Sequence, residues 1–95
     1  MKKRSILQDD LSECYICGTN QNIHIHHVFF GTANRKQSDK HNLVVALCME
    51  HHTGSNNSVH RNREVDLALK KKAQEVFEKE HTREEFRKLF NKSYL

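Results

Sequence analysis

The sequence predicts a small α+β domain in which a zinc knuckle staples two short strands and a helical tail closes the core. Three observations carry this expectation. Cys14-x2-Cys17 is answered thirty residues later by Cys48-x2-His51. Two segments, Ile23 to Phe30 and Leu43 to Leu47, alternate or run apolar over the length of a strand. From about Asn62 onward, apolar residues recur at steps of three and four.

Ninety-five residues make one domain. A chain this short has a marginal core and gains from a staple. Three cysteines cannot all pair within the chain, so a disulfide framework is not expected. Three cysteines with one histidine instead make a zinc site, which suits a reducing compartment. The net charge is +4, and residues 61–95 carry +3 of it, ten basic groups against seven acidic. That excess permits nucleic-acid binding without demanding it. Lys2-Lys3-Arg4 is followed by no long apolar run, because Gln8-Asp9-Asp10 interrupts it. A cytoplasmic protein is therefore expected, with no secretion and no membrane partner.

In chain order, residues 1–12 are a charged lead-in, ordered at most by packing of Ile6, Leu7 and Leu11. Cys14 to Gly18 forms the knuckle, and Gly18 permits the turn between two thiolates gripping one ion. In the strand from Ile23, side chains alternate, so His24, His26 and Val28 share one face and the neighbouring His27 takes the other. Gly31 to Asn42 reads as a polar loop, and Leu43 to Leu47 as the second strand. Cys48 to His52 starts a helix or helical turn. Thr53 to Ser58 is a loop by composition. Asn62 to Glu80 is helical, with Val65, Ala68, Leu69, Ala73, Val76 and Phe77 as its apolar stripe. Asp66 with Lys70 and Glu75 with Lys79 are favourable pairs four apart. Thr82 to Glu85 is a capping box for a last helix whose face is Phe86, Leu89 and Phe90.

Cys14, Cys17, Cys48 and His51 suit a closed, tetrahedral structural Zn²⁺, with His52 the alternative fourth ligand. Such a site contributes on the order of 10 kcal/mol, comparable to a small domain's whole stability. Histidines remain in surplus: seven of the eight lie between His24 and His60.

His26-His27-Val28, Asn42-Leu43-Val44 and Cys48-x2-His51-His52 follow one another in an order that resembles the HNH, or His-Me finger, nucleases. Cys14 and Cys17 ahead of the first strand match the zinc-stapled subset of that superfamily. The run His26 to Arg35, with Ser38-Asp39 following, is similar to phage-encoded members, closest to the recombination enhancement function family. The resemblance covers residues 14 to about 60. It implies a ββα-metal core, an endonuclease acting on DNA, a catalytic Mg²⁺ or other divalent ion, and a RecA-type recombinase as partner. It assigns no small-molecule cofactor.

By the same resemblance, His27 is the general base that takes a proton from water, which imidazole suits near neutral pH. His26 and His52 are ligands of the catalytic metal, and Asn42 holds the chain so that His27 is oriented. The family's spacing places the last ligand at Asn56, which is not a histidine. His60, across a longer loop, is the expected ligand, with Asn56 the fallback. The ion would stabilise the leaving 3′ oxygen, and the products would carry a 5′-phosphate and a 3′-hydroxyl. Imidazole ligands favour Mn²⁺, Ni²⁺ or Zn²⁺ over harder ions.

Arg35 and Lys36 are either phosphate contacts or a solvated loop. His24, His41 and His81 read as residues without chemistry, and Lys70-Lys71-Lys72 as a wet helix face. The competing reading is a zinc-stapled nucleic-acid-binding module without catalysis. A zinc hydrolase of another class is disfavoured, because no H-E-x-x-H pairing is present.

Overall fold

The structure is a computed structural model that describes residues 4–95; the first three residues of the charged lead-in lie outside it. Two strands, β1 (Ile23–His27) and β2 (Val44–Cys48), form an antiparallel pair in which Ile23 faces Cys48 and His27 faces Val44. Between them lies α1 (Thr32–Lys40), and after them a π-helical turn, Glu50–Gly54. Helices α2 (Arg63–Phe77) and α3 (Arg83–Phe90) complete the small α+β fold.

All five residues of β2 are buried, which explains its unbroken apolar sequence. Its outer edge is covered by the lead-in. Tyr15 N–H donates to Ala46 O at 2.8 Å, and Ala46 N–H donates to the Gln8 side-chain oxygen at 2.9 Å. Ile6 N–H reaches Asn42 O at 3.0 Å. Leu7 packs on the core as expected, whereas Ile6 is held by its backbone and its side chain stays exposed. Backbone groups and the Gln8 side chain thus fix a segment whose apolar content alone would not, and they close an otherwise unpaired strand edge.

The core is aromatic on the helical side. Phe29 sits with its ring centroid 4.5 Å from Phe90 and 5.2 Å from Phe86, and Phe86 reaches Phe77 at 5.7 Å. The last helix begins as its sequence requires, with the Thr82–Glu85 capping box formed in both directions. Asn62 caps α2, its side chain accepting from the N–H groups of Glu64 and Val65.

Two expectations need correction. Gly31 to Asn42 is not a loop, because residues 32–40 are helical and Arg35 and Lys36 ride on that helix. The helix buries only Ser38, so it has no apolar stripe to announce it. Its anchor is polar: Ser38 Oγ donates to Phe29 O at 2.7 Å and accepts from Phe29 N–H at 3.2 Å. The helix ends where Asn42 adopts a left-handed φ of 59°, a conformation asparagine tolerates. Lys70 is not part of a wet face either. It is 7% exposed and its ammonium lies 2.6 Å from Asp66, while Lys71 and Lys72 are exposed.

Ser38→Ala should lower stability by about 1–3 kcal/mol, because it leaves both backbone polar groups of Phe29 buried without partners. Urea denaturation in excess zinc measures this, and an unchanged midpoint would remove Ser38 as the anchor of α1.

Candidate metal centres

Two clusters form around the end of β2. In the first, the ligand atoms of Cys14, Cys17, Cys48 and His51 all lie within 4.8 Å of one another. Cys17 and Cys48 sulfurs are 3.8 Å apart, and His51 Nδ1 stands 3.3 Å from Cys48 Sγ and 3.8 Å from Cys14 Sγ. Tetrahedral zinc with sulfur at about 2.3 Å and nitrogen at about 2.0 Å separates its ligands by about 3.6–3.8 Å. The four side chains therefore fit a structural zinc. Burial pushes the Cys14 thiol up, but backbone N–H groups of Cys17, Cys48 and Ile16 outweigh it and bring the pKa from 9.0 to about 6. Those donors favour a thiolate, the form that binds metal. Burial raises the pKa of Cys48.

The second cluster joins His26, His52 and His60, whose ligand atoms also lie within 4.8 Å of one another. His52 and His60 Nε2 atoms are 3.2 Å apart. Ring centroids stand 5.2 Å from His26 to His52 and 5.1 Å from His26 to His60. His26 Nε2 is buried and has no hydrogen-bond partner, a lone pair that a cation would satisfy. Burial first, then repulsion from His52, His60 and Lys70, pushes the His26 pKa from 6.5 down to about 3. Burial, His60 and His24 also lower that of His52. Neutral imidazoles are the ligating form, so the residues fit a divalent ion. Three nitrogens suit a first-row transition metal better than Mg²⁺, which prefers oxygen.

The backbone explains how adjacent residues serve different clusters. Residues 50–54 wind as a π turn, closed by Ser55 N–H on Glu50 O at 3.0 Å. From this turn His51 reaches the cysteines and His52 reaches His26 and His60. The chain then doubles back: Val59 N–H donates to His51 O at 2.9 Å and His60 N–H to His52 O at 3.3 Å. That return sets His60 beside His52 although eight residues separate them. Asn56, the fallback ligand, is exposed.

His27 points away from His26, as strand alternation requires. Its Nε2 lies 3.4 Å from Asp39 Oδ1 on α1. His27, Asp39, Arg35 and Lys36 line one open cleft of about 670 Å³. Phe30 also lines it and connects it to the second cluster, with its ring 5.2 Å from His60. Asn42 acts through its backbone, turning the chain from α1 into β2 and accepting from Ile6. Sequence reasoning gave no role to Asp39 or to His24, whose Nδ1 is 3.2 Å from His52 Nδ1. The signal for His24 was present: it shares the strand face of His26. Such an outer partner fixes which ring nitrogen of His52 is available to a metal.

Comparison with known proteins returns no match: no family model, no curated protein and no solved structure is similar to this chain. Among the described residues, no helix is long and apolar enough to cross a membrane.

Removing zinc with a strong chelator should abolish the folded circular-dichroism signal, and Cys48→Ala should lose the tight metal. A melting curve unchanged by chelation would sink the clamp. A second expectation concerns pH. In the fold His26 refuses its proton until about pH 3, whereas an unfolded histidine takes it near 6.5. The unfolded state thus binds the extra proton in that window. The stability that neutral His26 contributes is complete above pH 6.5 and is lost as pH falls toward 3. Metal-free at the second cluster, wild-type protein should lose stability more steeply below pH 6.5 than His26→Leu; parallel slopes would refute the burial argument.

Proposed function

We propose that this chain is a metal-dependent endonuclease with a ββα-metal core, hydrolysing DNA phosphodiester bonds. The observation that carries the reading is the convergence of His26, His52 and His60, from three separate segments, next to a fourth imidazole turned into a basic cleft. A closed structural site needs no such surplus, and an open set of three protein ligands leaves positions for substrate oxygens.

In this reading Arg35 and Lys36 bind the phosphates that flank the scissile bond. A divalent ion held by His26, His52 and His60 supplies positive charge for the phosphate and the leaving 3′ oxygen. His27 takes the proton of the attacking water. Asp39, 3.4 Å away, orients the ring and favours the imidazolium that the proton transfer creates. The zinc clamp fixes Cys48 and His51, and through them the position of His52. Phage DNA recombination or processing, beside a RecA-type recombinase, is the setting that the sequence resemblance suggests.

The test is cleavage of plasmid and single-stranded DNA with Mn²⁺, Ni²⁺, Zn²⁺ or Mg²⁺ added. His27→Ala should lower the rate by about 10²-fold or more, the usual contribution of a general base, while zinc content is unchanged. Folded protein that cuts nothing with any of these ions overturns the proposal. A DNA footprint that persists in His27→Ala, without cut products from either protein, would instead identify a zinc-stapled binding module.

A further inference from the structure

Phe30 lies where packing alone would not put it. Its neighbours Val28 and Phe29 are fully buried, yet Phe30 is 41% exposed. It follows the end of β1, and Gly31 beyond it takes a φ of 95° that a side chain would rarely adopt. The turn therefore presents the Phe30 ring at the junction of the two arrays. His60 stands 5.2 Å and His26 6.0 Å from its centroid, and the ring also walls the cleft that holds His27, Arg35 and Lys36.

The ring is held from behind. Lys70 Nζ sits 4.0 Å from the Phe30 centroid, and Lys70 is itself buried and fixed by Asp66 at 2.6 Å. A buried ammonium over one face is a cation–π contact that orients the aromatic plane. The residue is nonetheless 41% exposed and lines the cleft beside Arg35 and Lys36. A flat apolar surface, held in place and flanked by phosphate-binding cations, matches the chemistry of a nucleotide: a charged phosphate joined to a base with an aromatic face.

We infer that Phe30 is a stacking platform for an unpaired nucleobase next to the scissile phosphate, so that the site takes single-stranded or locally unpaired DNA in preference to intact duplex. The inference rests on the proposed nuclease reading and names the substrate class of that site. Within duplex both faces of a base are covered by its neighbours, so only a single strand, a gap or an extruded nucleotide can offer one to Phe30.

The experiment compares wild-type protein with Phe30→Leu and Phe30→Tyr. Leucine keeps apolar bulk over Lys70 but has no aromatic face; tyrosine keeps the face. Zinc content and circular dichroism establish that each variant is folded. The probes are a single-stranded oligonucleotide containing 2-aminopurine and the same sequence as a duplex, with binding read in the cleavage-deficient His27→Ala background. Phe30→Leu should bind the single strand roughly 10-fold more weakly and lose the quenching of 2-aminopurine, with duplex binding unchanged. Phe30→Tyr should retain both. Equal single-strand affinity and quenching in Phe30→Leu overturns the inference; if the Phe30→Leu protein with His27 intact still cuts DNA, the nuclease reading stands. Conversely, quenching and single-strand preference that depend on Phe30, in a protein that cuts nothing with any ion, support the platform and reject the nuclease.

Discussion

The end of β2 carries the constraint on which the rest of the molecule depends. Cys48, His51 and His52 lie within five residues, yet they face two different clusters. An ordinary helical turn separates adjacent side chains by about 100°. A rotation of about that size is enough to aim the two imidazoles at different clusters, and here they leave a π turn, a geometry found mostly at functional sites. Because β2 is buried along its whole length and paired with β1, the origin of this turn is fixed. His26 is fixed by the same pairing, opposite Val45. The two strands thus set the distance between His26 and His52 before any ion binds.

Electrostatics follows from the same packing. Burial among His52, His60 and Lys70 disfavours protonation of His26, and burial with His60 and His24 disfavours that of His52. Within the cluster His26 Nε2 is left buried without a hydrogen-bond partner, which is unfavourable until something positive shares its lone pair. The cysteine cluster has the complementary problem. Backbone N–H groups draw the Cys14 thiol toward the thiolate while burial holds Cys48 back, and a bound cation would favour the thiolate form. A metal bound at either centre would stabilise a small core, through charge at the cysteines and through the buried nitrogen of His26 at the histidines.

The parts of this arrangement that were legible in the sequence are those with a short local pattern. The matched x2 spacings located the four atoms of the cysteine cluster, alternation put His26 and His27 on opposite faces, and Thr82 to Glu85 announced the last helix. What was not legible depends on contacts between distant segments. The α1 helix has no apolar stripe because its one buried residue is a serine that bonds to Phe29. Lys70 sits in a run of three lysines that reads as solvated, and its contacts with Phe30, Tyr94 and Asp66 come from the fold. His24 seemed idle because its partner, His52, is twenty-eight residues away. The edge of β2 is closed by the backbone of Tyr15 and the side chain of Gln8, polar contacts that no apolar pattern announces.

The doubling back of residues 59 and 60 onto 51 and 52 has an evolutionary corollary. His60 owes its place to main-chain pairing with His52 and not to the period of a helix. The exposed tip between them, residues 56 and 57, can therefore lengthen while the last imidazole stays where it is, since loop extension adds little entropic penalty. Homologous chains would then keep the same three-dimensional centre under different intervals between histidines. A signature written as a fixed interval would pass over them, whereas one written as a strand pair followed by a returning loop would not.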